Sequence, residues 1–144
     1  MARRPGLSFV GVLLACGLFS HASSGASDFV VLCNQSNPLP SLSRSDLRKA
    51  FTGGIKQWPS GAVIHVGLIA SNAPETEYLA DLIGMTSREL MRRIQEQVFK
   101  GEMKRPALLR SSADCAAFAR STEGAICMAV AMPAPPDTRV VPIR

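Results

Sequence analysis

Apolar positions in this chain fall into short continuous runs and helical stripes, punctuated by Gly, Pro and Asn. Asp28-Phe-Val-Val-Leu-Cys33 is a β-rich run without a polar alternate, the pattern of a strand buried on both faces. Asn34 to Pro40 holds two breakers and reads as a loop. Ser43 then suits the N-cap of a helix running through Leu47 to Phe51, with Asp46 at the positive end of its dipole. Gly53-Gly54 stops that helix. Trp58-Pro-Ser-Gly61 is a turn, and Ala62 to Ile69 a second, nearly continuous apolar strand. Pro74 sits at the first turn of a helix reaching Ile83, where Glu75 and Glu77 are favourable.

Thr86 or Ser87 caps a third helix, Arg88 to Lys100. Leu90, Met91, Ile94 and Val98 line one face of it, and Arg92, Arg93, Glu96 and Gln97 fall largely on the other. After a loop at 104–106, Ser111 or Ser112 caps a fourth helix, and Cys115, Phe118 and Ala119 mark its inner face. Gly124 to Val130 is a third strand. Thr138 to Ile143 is a last one, placed at an edge because Pro142 has no N–H for a ladder. The order β-α-β-α-α-α-β-β predicts an α/β domain, a mixed sheet flanked by helices.

Composition changes the picture mainly at the amino end. Arg3 and Arg4 precede an apolar stretch over residues 6–19, then small residues ending Ser24-Gly25-Ala26, the pattern of a signal peptide cleaved after Ala26. An uncleaved anchor is the alternative, although the run is short of the roughly 20 residues that span a bilayer. Leu13-Leu-Ala-Cys16 offers another: a lipoprotein anchored through Cys16. Loss of residues 1–26 from the 144 leaves 118, as a single domain over 27–144. Two arginines go with the leader, so the net charge drops from +5 to +3. That balance, in an exported chain, gives no footing for nucleic acid.

Lys100, Lys104, Arg105 and Arg110, with Arg92 and Arg93 before them, read as a solvated face; a membrane-surface or partner-docking patch is the alternative. Aromatic residues make up only 6%, which argues against sites built on stacked rings.

Four candidate chemistries remain. Cys115 and Cys127 lie 12 positions apart, on a helix and its following strand, an arrangement able to close a disulfide in an oxidising compartment. Two buried free thiols, or a pair involving Cys33, are the alternatives. Cys33 and His65 are adjacent if their strands pair, but no orienting acid accompanies them, and the chain reads as non-enzymatic. Three cysteines and one histidine could supply zinc ligands, but without C-x₂₋₄-C spacing, so no metal or cofactor is expected. Helix N-termini at Ser43, Ser71 and Ser111-Ser112 offer N–H groups and hydroxyls to an anion, strongest where two caps meet Arg44 or Arg110.

The run Ala50-Phe-Thr-Gly-Gly-Ile-Lys-Gln-Trp-Pro-Ser-Gly61 resembles a segment of the phosphate ABC transporter periplasmic substrate-binding proteins, of the form I-F-x-G-x-I-x-x-W-x-x-G. Phe51, Gly53, Ile55, Trp58 and Gly61 match its anchors, and Ala50 replaces its first residue. Val31 to Asn34 with Asn37-Pro-Leu39, Val98 to Gly101 with Arg105-Pro106, and Glu123 to Ile126 are similar to other segments of that family, in family order.

The resemblance implies one lobe of a type II periplasmic binding protein, located in the periplasm. It implies a small oxyanion such as phosphate as ligand, held weakly or no longer held, and a membrane transporter or sensor as partner. Its ligand-binding candidates are Ser43, Arg44, Ser71, Asn72, Thr76, Ser111 and Ser112. The alternative is an accessory periplasmic interaction or signalling module without a ligand. Where the family carries a Ser-Gly-Thr turn, this chain has Ser71-Asn-Ala-Pro-Glu-Thr76. That turn lacks the glycine, loses the N–H of Pro74 and places Glu75 where an anion would lie.

Overall fold

A computed structural model describes residues 28–37 and 39–144; the leader and Cys16 lie outside them. The elements are β1 (Phe29–Asn34), α1 (Arg44–Thr52), β2 (His65–Ile69), α2 (Pro74–Leu82), α3 (Ser87–Phe99), β3 (Ala107–Leu109), α4 (Ser112–Ser121), β4 (Ala125–Val130) and β5 (Thr138–Val141). The sheet order is β3-β2-β4-β1-β5. β2 is parallel to β3 and β4, and β1 is antiparallel to β4 and β5. The α/β expectation, a mixed sheet flanked by helices, is borne out, and β5 stands at an edge.

Strand alternation sorts the core into two layers. Val31, Cys33, Val66, Leu68, Ile126 and Met128 face α1, α2 and α3 in the larger cluster with Leu47, Phe51, Leu79 and Leu90. Leu32, Cys127 and Ala129 face α4, whose buried contribution is only Cys115 and Ala119. β1 and β4 are covered on both sides, which is why they read as continuous apolar runs.

Three sequence expectations are corrected. A strand, β3, stands between α3 and α4; three residues after Pro106 are too few for a period, and only pairing with β2 defines them. β2 begins at His65 rather than Ala62, because Val63 bridges Gln57 and the Ile64 N–H bonds the Lys56 carbonyl at 3.0 Å. The N-cap of α2 is Ala73, without a side-chain bond, so Ser71 lies outside that helix start.

The segment from Phe51 to Gly61 is a reversal into β2. Phe51 is fully buried, Gly53 closes α1 by donating to Lys49, and Ile55 packs on the core edge. Gly61 donates to the Trp58 carbonyl at 2.8 Å. The indole N–H of buried Trp58 donates to the Gly124 carbonyl at 2.9 Å, fastening the reversal to the residue before β4.

Candidate functional site

Parallel strands bring successive helix N-termini to one edge of a sheet, and ligands of α/β folds gather there. Here β2 leads to α2 and β3 leads to α4, so both helices start at the edge where β2 and β4 end. α1 reaches the same edge differently. The chain after β1 doubles back until Leu42 bridges Ile143 and the Arg44 N–H meets the Arg144 carbonyl at 3.2 Å. Ser43 caps α1 by accepting from Asp46 N–H at 3.0 Å. Arg44 lines a hollow with Tyr78 and Ile143, and the bonds of Ser43 and Arg44 run to α1 and the chain end at Arg144.

The α2–α4 pair is joined directly. Ser112 Oγ donates to Glu75 Oε1 at 2.9 Å and accepts from the Val130 N–H at 2.8 Å, so one hydroxyl ties both helix starts to the end of β4. Ser111 caps α4 by accepting from Asp114 N–H at 3.3 Å, and Asp114 Oδ2 accepts from Arg110 N–H at 3.0 Å. Thr76 is buried, and its hydroxyl donates to the Ile69 carbonyl at 2.8 Å. Ser71 and Asn72 are exposed on the turn before α2.

Chemically, this edge combines donors with a carboxylate already in place. Pro74 brings no N–H, and the N–H groups of Thr76 and Glu77 both turn to the Ala73 carbonyl. The Ser112 proton is engaged by Glu75. Ser71, Asn72, Arg110 and Ser111 are exposed, and Ser71 and Asn72 line a hollow with Ser87, Arg88 and Arg92 of α3. Thr76 serves the fold: Thr76→Val should leave the Ile69 carbonyl unpaired and cost about 1–2 kcal/mol in urea denaturation, without changing the helix content.

The link between Glu75 and Ser112, 37 positions apart, was not foreseen. The signal available was an acid in the first turn of one helix and a spare serine at the cap of the next. Asn34 was also missed. Its amide donates to the Ala119 carbonyl at 2.7 Å and to that of Arg120 at 3.1 Å, satisfying the end of α4.

Cys33 and His65 do not meet. β4 lies between their strands, and Cys33 points to the α1–α3 layer. Burial pushes the Cys33 thiol up to about 12, the reverse of what a nucleophile needs. Cys115 and Cys127 form a disulfide, which removes two of the four ligands that a zinc site would use. Among the described residues no three His, Cys, Asp or Glu side chains cluster to hold a metal.

The sequence matches no family model and no curated protein. Solved structures do share the fold. One is a protein assigned as a phosphate ABC transporter substrate-binding protein from Clostridium perfringens, with phosphate bound. It is 14% identical, with a TM-score of 0.63, over 81% of this chain and 44% of that one. Another is an ABC-type phosphate transport receptor from Vibrio cholerae, 14% identical, with a TM-score of 0.56, over 81% of this chain and 46% of that one. This chain therefore spans less than half the length of either, and the likeness is one of fold.

Proposed function

We propose that this chain is an exported, non-enzymatic binding module of the periplasm. Residues 1–26 are its cleaved signal peptide and 27–144 its single domain. Its ligand is a small oxyanion such as phosphate, held weakly at the edge between α2 and α4. The observation that carries this reading is the convergence of those two helix starts on Ser112, in a fold shared with phosphate-binding proteins. In this reading Arg110 and Ser111 before α4, and Ser71 and Asn72 on the turn before α2, all exposed, supply its donors. A transporter or sensor in the membrane is the partner class that such a module serves.

Glu75 makes the binding weak. Its carboxylate occupies the Ser112 hydroxyl and repels an incoming anion, so ligand and carboxylate compete for one donor. Isothermal titration of the protein with phosphate and with sulfate tests this. Millimolar affinity is expected for the native protein. Glu75→Gln removes the charge and keeps the shape, and should tighten phosphate binding at least tenfold, about 1.4 kcal/mol. Flat titrations for both proteins would end the oxyanion reading and leave an accessory interaction or signalling module without a ligand.

A further inference from the structure

Among the described residues the sheet ends at β3, whose outer side has no strand beside it. Next to that edge, α3 and β3 enclose an apolar hollow of about 420 Å³, floored by Leu68, Ile94 and Val98. Phe99 and Leu108 stand at its rim, 94% and 83% exposed, the two most exposed large apolar side chains among the described residues. A second hollow continues from it, sharing Met91 and Gln95, past Arg88 and Arg92 to the Ser71–Asn72 turn. Arg88, Arg92 and Arg105 line the whole groove against one acid, Glu77. Arg92 also lies 3.9 Å from Glu96, an exposed pair too weak to cancel that charge. Along the chain, Lys104 and Arg105 precede β3 and Arg110 follows it, so the open edge is bracketed by cations at both ends.

We infer that the β3 edge and the α3 groove form a docking surface for an extended, acidic segment of a partner protein. The segment adds a strand to β3, seats apolar side chains between Phe99 and Leu108, and sets its carboxylates against Arg105 and Arg110. Strand addition to an open edge satisfies backbone groups that the sheet leaves unpaired, and alternate side chains fill the adjoining hollow. Charge selects this occupant over the others. A second copy of the chain pairing antiparallel about Leu108 opposes Arg105 to Ser111 and Pro106 to Arg110, so Lys104, Arg105 and Arg110 of both copies crowd one short ribbon with like charge that an acidic segment would neutralise. Lipid hydrocarbon would accept Phe99 and Leu108, but it cannot pair the outer N–H and C=O groups of β3.

The test uses protein recovered from cells expressing the full chain, labelled with nitrogen-15. Two synthetic peptides of equal length serve as probes, one alternating valine with glutamate and one alternating valine with lysine. Vesicles of phosphatidylglycerol and phosphatidylcholine are the third probe. The glutamate peptide should give saturable amide shifts confined to Ala107–Leu109 and the Gln95–Phe99 side of α3, and the lysine peptide none. Arg105→Glu should weaken the glutamate peptide at least tenfold; the side chain is exposed, and circular dichroism checks that the variant folds. Equal response to both peptides, no response, shifts elsewhere, capture by vesicles alone, or concentration-dependent self-association of the free protein would each overturn the inference.

Discussion

Replacing Gly124 by alanine is expected to cost about 3 kcal/mol or more, a large part of the 5–15 kcal/mol that holds a typical domain folded. Two effects add. Gly124 has φ +76°, a region that costs an L side chain roughly 1–2 kcal/mol. A Cβ there would also press into the backbone carbonyl of Val63, which has no rotamer to move, and overpacking of this kind costs about 1–3 kcal/mol. The consequence spreads because the Gly124 carbonyl accepts two bonds, from the Trp58 indole at 2.9 Å and from the His65 N–H at 3.1 Å. Displacing it loosens the reversal at 51–61 and the start of β2 together.

Gly61→Ala is the control. Gly61 also has positive φ, +88°, but no atom beyond its chain neighbours lies within 4 Å of the added Cβ, so only the backbone cost of about 1–2 kcal/mol applies. Urea denaturation followed by fluorescence of the one tryptophan, Trp58, reads both variants at the affected place. Equal midpoints for the two would show that the Val63 contact carries nothing.

Reduction of the Cys115–Cys127 bond, or Cys115→Ser with Cys127→Ser, should lower stability by about 2–4 kcal/mol, the usual effect of a cross-link closing a short loop. The loss should be uneven. α4 fully buries only Cys115 and Ala119, two small side chains, with Ala116 and Phe118 partly buried beside them, so apolar burial holds it less than it holds α1, which buries Leu47 and Phe51. The disulfide, the Asn34 amide and the Ser112 bridge supply much of the rest. Hydrogen exchange in reductant should therefore rise first in α4, while amides of β1, β4 and α1 stay protected. Cys33 will not scramble the bond, because it faces the opposite layer and its thiol, pushed up to about 12 by burial, forms little thiolate. An unchanged midpoint, or uniform loss of protection, would show that packing alone fixes α4.

The sequence carried what is local. Ser43 as a cap, Thr86 and Ser111 each as one of two adjacent cap candidates, and the glycine stops depend on residues three or four apart, where propensity and hydrogen bonding act directly. β1 and β4 showed as apolar runs, and Pro142 placed β5 at an edge, because burial on both faces and a missing N–H leave marks on composition. The tertiary structure decided what depends on partners far along the chain. Pairing with β2 made a strand of Ala107–Leu109, and the insertion of β4 between β1 and β2 kept Cys33 from His65. Folding also set Glu75 against Ser112, so that a turn read as losing its anion became one holding a carboxylate of its own. No window of sequence contains both halves of such a contact. It exists only once the sheet has fixed which helix starts share an edge.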